Sequence, residues 1–302
     1  MIQTLLILTS PPASGKTYWI EKFHQAYGRI LVISPLRALA NECKEKWGEK
    51  IQVMTPEEWL VKQEIFSVVI FDEFHLLFYW GDSFRQKMWE AFYQIGYQAS
   101  LVMGLTATLS AGMREEVSKL SSHFDEILWI DCGNQKLKYS PTRYVYIPEK
   151  QMMRELIELP STGVKLVFCA YRNEVLKLTE ELRAKGNKVW GLVGGEAHKM
   201  QALIQSGDKV DFIVATTVLS HGVNLPKISE IYFLYELKNI DFWIQMVARG
   251  GRKGEDFRVY ALEKPYGISW SRIINFLFVL LLRIKLCFNS MKGQFYLWFL
   301  KD

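Results

Sequence analysis

The sequence predicts an α/β protein built on two tandem parallel sheets, and three observations carry that expectation. Short apolar runs of strand length alternate with stretches of helical period along most of the chain. Those runs are apolar at successive positions rather than at every second one, the pattern of strands covered by helices on both faces. The alternation stops once, in the polar and prolyl segment "DCGNQKLKYSPTRYVYIPEK" (131–150), and then restarts.

In the first unit "TLLILTS" (4–10), "RILVISP" (29–35), "FSVVIFDE" (66–73), "SLVMGLTAT" (100–108) and "EILWID" (126–131) read as strands. Residues 17–27, 36–47, 56–63, 83–95 and 112–121 have the period of helices. In the second, "VKLVFCA" (164–170), "KVWGLVG" (188–194), "DFIVATT" (211–217), "EIYFLYE" (230–236) and "FRVYALE" (257–263) are the strands, with helices near 150–158, 172–186, 196–205 and 241–249. The expected division is a first domain over 1–135, a linker over 136–149, a second domain over 150–262 and a tail over 263–302. No short-period repeat or low-complexity tract interrupts it.

The tail has a different character. "ISWSRIINFLFVLLLRIKLCF" holds an uncharged apolar core of ten residues, Ile273 to Leu282, before Arg283 and Lys285. A bilayer span needs about 20 residues, so no transmembrane segment is expected. A helix packed on the second domain is the plain reading, and a partner interface or a membrane-surface helix is the other.

At 302 residues, 49% hydrophobic and 23% charged, the chain has room for two cores. Of its net charge of +5, six basic residues against two acids lie in 263–302, which leaves about +1 for everything before. Any phosphate tracking by the body must therefore use local amides and helix N-termini rather than a broadly basic surface. Four scattered cysteines without a CxxC or a nearby His pair argue for a reducing compartment and against a structural zinc. The N-terminus lacks a basic n-region, so a cytoplasmic location is expected.

The chemistry begins at "SPPASGKT", where an apolar strand turns tightly into a helix. Such a turn aims successive N–H groups, here around Ser14 and Gly15, at phosphate oxygens, with Lys16 reaching the β and γ phosphates and Thr17 offering a hydroxyl to Mg²⁺. "FSVVIFDEFHLL" then sets an acidic pair at the C-terminal end of a buried strand, where open α/β sheets place their sites. Asp72 is suited to hold Mg²⁺ with Thr17, and Glu73 to orient and deprotonate water. "DFWIQMVARGGRKG" supplies Arg249 and Arg252 three residues apart at a helix end, expected on one face, with Gln245 one turn earlier. Two guanidiniums so placed can neutralise charge developing on a γ phosphate.

Together these residues resemble a superfamily 2 helicase. "SPPASGKT" resembles motif I, "SPLRALANE" motif Ia, "MTPEEW" motif Ib, "FDEFHLL" motif II, "LTATLS" motif III, "LVFCAYRNE" motif IV, "ATTVLSHGVNLP" motif V and "QMVARGGR" motif VI, in order. The "DEFH" box is DExH-like, and motifs V and VI look closest to archaeal repair and exosome-associated RNA helicases. The resemblance implies two RecA-like domains with ATP and Mg²⁺ in the cleft between them and a nucleic-acid strand across their top. It implies that Pro35, Arg37, Thr55, Arg172, Thr216 and Thr217 follow the phosphate backbone and that Gly222 and Asn224 report nucleotide state. His75, Thr106 and Thr108 would couple the two sites.

Some residues depart from that pattern. Ala13 and Ala248 stand where the motifs commonly have glycine, and if position 13 needs a positive φ the alanine costs about 1 kcal/mol. Only three residues precede Thr4, so no adenine-reading Q motif is expected and selectivity for ATP follows from resemblance alone. His75 and His221 also read as packed histidines, and Phe78, Tyr79 and Trp80 as core before they read as a base-stacking platform. Eighteen residues separate Pro226 from Gln245, too few for a long strand-separating hairpin. The expectation is a minimal ATP-dependent helicase or translocase whose unwinding is weak or depends on a protein partner docked at the tail. The other reading is a nucleic-acid-binding ATP switch that does not unwind. DNA and RNA are equally compatible with these residues.

Overall fold

The computed structural model describes residues 3–81, 85–158, 163–193, 203, 206–217 and 225–263. The expected tail, helix 196–205 apart from Leu203, His221, Gly222 and Asn224 lie outside the described residues.

The first sheet contains β1 (Thr4–Thr9), β2 (Leu31–Ile33), β3 (Gln52–Met54), β4 (Val68–Phe71), β5 (Leu101–Thr106) and β6 (Glu126–Asp131), all parallel, in the order β3-β2-β4-β5-β1-β6. Helices α1 (Lys16–Tyr27), α2 (Arg37–Trp47), α3 (Pro56–Lys62), α4 (Leu76–Trp80), α5 (Lys87–Gln98) and α6 (Ala111–Lys119) join them. Burial on both faces is visible in β1: Leu5 and Ile7 enter one core with Phe74 and Phe92, while Leu8 enters the opposite one with Ile20 and Ile70. That two-sided burial is why the strands read as continuous apolar runs.

The second sheet contains β7 (Arg143–Ile147), β8 (Val164–Phe168), β9 (Val189–Leu192), β10 (Phe212–Ala215), β11 (Ile228–Phe233) and β12 (Arg258–Leu262), again parallel, ordered β7-β12-β11-β8-β10-β9. Its described helices are α7 (Glu149–Glu158), α8 (Arg172–Ala184) and α9 (Ile240–Val247). Leu166 and Phe168 of β8 face one core and Val167 the other.

Several expectations need correction. Residues 143–147, read as linker, form the edge strand β7, registered from Arg143 opposite Arg258 to Ile147 opposite Leu262. Its period-2 signal spans only five residues between Pro141 and Pro148, too short to stand out. The three-residue β3 was missed for the same reason. The expected helix 83–95 is shifted, with α4 following the acidic box and α5 reaching Gln98. Finally, α9 stops at Val247, and Gly251 beyond it takes φ 62°, so Arg249 and Arg252 sit in a turn rather than on a helix face.

Candidate functional site

Both sheets contribute to one pocket of about 280 Å³. Gly15, Lys16, Thr17, Asp72 and Glu73 line it from the first, and Gln245, Ala248, Arg249 and Arg252 from the second. The turn that leads into α1 leaves β1 at its C-terminal end, with Ser10 N–H donating to Thr106 O (3.0 Å). Gly15 caps α1 at φ 93°, a left-handed conformation open to glycine, and the first turn of α1 carries no acid. Ala13 takes φ 60°, so the condition attached to that substitution is met. The Ser14 side chain turns back to Ser10 Oγ (2.9 Å) instead of entering the pocket.

The acidic box is held from both sides. Asp72 N–H donates to Ile33 O (3.0 Å) and Phe74 N–H to Leu105 O (2.9 Å), while Glu73 between them takes φ 49°. Left-handed backbone at a non-glycine residue concentrates at functional sites because the surrounding bonds over-determine it. Gly104 of β5 makes the placement possible: a Cβ there would lie 2.7 Å from Phe74 Cγ and 2.9 Å from Ile7 Cδ1. Burial raises the Asp72 carboxyl, Glu73 raises it further and Lys16 opposes them.

His75, fully buried, bridges the halves. Its Nδ1 lies 2.9 Å from Thr106 Oγ1, and its Nε2 2.8 Å from Gln245 Nε2, which also donates to Thr108 Oγ1 (3.2 Å). The Thr106 hydroxyl donates to Thr108 O (2.9 Å). One assignment satisfies the set: a neutral imidazole donates from Nδ1 to Thr106 and accepts at Nε2 from Gln245. Burial, the largest influence on this imidazole, holds it below its ordinary range, consistent with the neutral form. The buried Gln245 Oε1 has no hydrogen-bond partner among the described residues.

Arg249 is 3% exposed. Burial and then the adjacent Arg252 oppose its charge, while Glu73 and Glu42 of α2 support it. Burial likewise opposes the charge of Arg252, with Glu42 and Glu73 again in support. The buried Arg249 guanidinium, half-buried Arg252, Lys16 and the N-terminus of α1 facing one small pocket fit an anion of high charge. The unsatisfied Gln245 Oε1 fits a water or hydroxyl beside it.

The residues expected along nucleic acid all follow C-terminal strand ends, on the edge of each sheet that carries the site, but their exposure differs. Arg37, Arg172 and Thr217 are exposed and Thr216 is half-buried. Thr55 is 3% exposed, and its hydroxyl caps α3 by accepting from Glu58 N–H (3.3 Å), so its side chain is committed to the helix. Pro35 is buried, and its carbonyl accepts from the Arg85 guanidinium. Arg85 also grips Glu57 with two bonds (2.9 and 2.8 Å) and so ties the segment after β2 to α3. Nothing in the local pattern of Arg85 signalled that role. Phe78 and Trp80 pack on the first core, and Tyr79 meets Phe242 at 5.0 Å, so this cluster is packing rather than platform.

Residues 149–254 match the helicase conserved C-terminal domain. The ATP-dependent DNA helicase RecQ of Pasteurella multocida is 23% identical over 215 residues, 68% of this chain and 33% of its own length. The human ATP-dependent RNA helicase DDX42 is 27% identical over 239 residues, 72% of this chain and 24% of its own length. The chain thus spans about a third or less of these curated relatives. Among solved structures, S. cerevisiae Dbp5 bound to RNA and ADP BeF3 superposes with a TM-score of 0.66 at 16% identity, covering 85% of this chain and 78% of that one. Mycobacterium smegmatis Lhr bound to ssDNA and AMP-PNP gives 0.61 at 17%, covering 87% and 44%. Residues 149–254 are thus similar to a helicase conserved C-terminal domain, and the chain as a whole has the fold of two RecA-like parallel-sheet domains seen in those structures.

Proposed function

We propose that the chain is a nucleic-acid-stimulated ATPase that acts as a helicase or translocase. The observation that carries this reading is the pocket shared by the phosphate loop, the Asp72–Glu73 pair and the two arginines of the second sheet. The proteins it resembles are named as ATP-dependent helicases, and the similar structures hold RNA or single-stranded DNA. Lys16 and the amides around Gly15 would hold the phosphates, with Thr17 and Asp72 as the Mg²⁺ ligands. When bound there, Mg²⁺ would supply positive charge beside Asp72 and the phosphate oxygens.

Glu73, 3.6 Å from His75 Nδ1, accepts the proton of the attacking water, and Gln245 Oε1 orients that water. Arg249 and Arg252 stabilise charge on the transferred group from the opposite wall. His75 and the threonines communicate the position of α9 to the acidic box, which is the basis for assigning the DExH type. Strand contact would use Arg37, Arg172, Thr216 and Thr217 with backbone amides. The closer likeness to archaeal repair and exosome-associated helicases, and any protein partner at the tail, belong to the same proposal. Among the described residues no helix is long and apolar enough to cross a membrane.

One observation favours the non-unwinding switch. Only residues 234–239 join β11 to α9, which leaves no strand-separating hairpin there. The test is the ATPase rate against single- and double-stranded DNA and RNA, with Lys16→Ala and Glu73→Gln as controls, followed by displacement of a tailed duplex. Stimulation by a polymer with displacement supports the helicase. ATPase without displacement supports the switch, and a rate indifferent to every polymer defeats both.

A further inference from the structure

The N-terminus of α9 is held by residues outside the eight motifs that carry the resemblance. Asp241, its second residue, is 1% exposed. Its Oδ2 accepts from Tyr79 OH (2.7 Å) and its Oδ1 from Gln135 Nε2 (2.7 Å). Tyr79 OH in turn accepts from Asn239 Nδ2 (2.9 Å), and Asn239 Oδ1 caps the helix by accepting from the N–H groups of Asp241 (2.9 Å) and Phe242 (3.2 Å).

Both donors are anchored in the first half. Tyr79 lies on α4, four residues beyond His75, and its ring rests on Phe242 at 5.0 Å. Gln135 N–H donates to Ala107 O (3.1 Å), and Asn134 beside it exchanges two bonds with the Leu109 backbone (2.7 and 2.9 Å). The segment after β6 is thereby fastened to the turn that carries Thr106 and Thr108.

From Asp241 the helix rises one turn to Gln245, on the same face, and its end leads to Arg249. Pinning one end of a rigid rod sets where the other end points. We propose that Tyr79, Gln135 and Asp241 form a latch that fixes the axis of α9 and thereby positions Arg249 for hydrolysis, a role that rests on the ATPase reading above. These are positioning residues, since none of them lines the pocket. Nucleotide grip by Gly15, Lys16 and Thr17 is built entirely in the first half and is independent of the latch.

The test uses the full chain with Tyr79→Phe, which removes one hydroxyl and keeps the ring on Phe242, and with Asp241→Ala and Asp241→Asn. The expected result is a 10- to 100-fold fall in kcat for Tyr79→Phe and Asp241→Ala, nucleotide KM within about twofold of wild type, and partial recovery in Asp241→Asn, which still accepts from Tyr79. Added to Arg249→Ala, Tyr79→Phe should lower kcat no further, because the latch acts through that arginine. Loss of KM in step with kcat, or a full additional loss in the Arg249→Ala background, overturns the proposal.

If the wild-type chain hydrolyses no nucleotide, the ATPase reading fails by itself, and Tm judges the latch. Tyr79→Phe with Asp241→Asn should then lower Tm by less than the sum of the two single shifts. Additive shifts overturn the latch in that case as well.

Discussion

Replacing His75 by Gln tests the neutral, buried imidazole on which the bridge between the halves depends. The side chain is fully buried, and burial holds it below its ordinary value of 6.5 despite the opposing pull of Glu73 and Asp241; Lys16 adds to the lowering. In the unfolded chain the same imidazole takes up a proton as pH falls through about 6.5, so below that value the unfolded state binds more protons than the folded one and stability falls with pH. For one group the loss between pH 7.5 and pH 5.5 has an upper limit of about 1.4 kcal/mol, reached when the folded imidazole stays neutral throughout. For a chain of this size that corresponds to about 2 °C in Tm. Breaking the bonds to Thr106 and Gln245 costs a further 1–3 kcal/mol, roughly, at either pH. The variant should therefore be less stable at pH 7.5, with a gap to wild type that narrows by up to about 1.4 kcal/mol at pH 5.5. Thermal and urea unfolding of both proteins at the two pH values measure it. Were His75 instead a cation paired with Glu73 at 3.6 Å, its folded pKa would be raised and the gap would widen on acidification; a constant or widening gap refutes the neutral bridge.

Glu73→Gln should lower the hydrolysis rate by roughly 10²–10⁴-fold while nucleotide affinity changes by only a few fold, measured by single-turnover kinetics and equilibrium binding. Gly104→Ala should destabilise the chain by about 1–3 kcal/mol in urea unfolding and slow hydrolysis, because the added Cβ would displace Phe74 beside Glu73. Ala13→Gly should be neutral to stabilising by about 1 kcal/mol, since relief of the left-handed φ outweighs the extra freedom of the unfolded chain; a clear loss of stability would show that the loop does not carry that strain. Arg85→Met should weaken nucleic-acid binding by loosening the segment after β2 from Glu57, with ATPase in the absence of polymer unchanged within about twofold, read by anisotropy and steady-state turnover.

The sequence by itself determined the strand–helix alternation, because strands buried on both faces leave continuous apolar runs, and it determined the turn from β1 into α1 and the acidic pair that follows β4. Those signals are short in range: Gly15, Lys16 and Thr17 are adjacent, and Asp72 with Glu73 follows directly from β4. Even there, the sequence left open whether Ala13 was strained, which only its backbone angle answered.

The tertiary structure decided everything that depends on distant segments meeting. Thr55 and Pro35 look like their exposed motif neighbours in the sequence, yet a helix cap and the Arg85 guanidinium turn them inward. Arg249 and Arg252 keep their place in the pocket although the expected helix face is absent, because the chain folds back after Val247 at Gly251. Tyr79, Gln135 and Asp241 are 56 and 106 residues apart along the chain, and no local period or motif relates them. A buried carboxylate needs donors wherever the fold can supply them, and here two parts of the first sheet's framework supply the donors for a helix of the second.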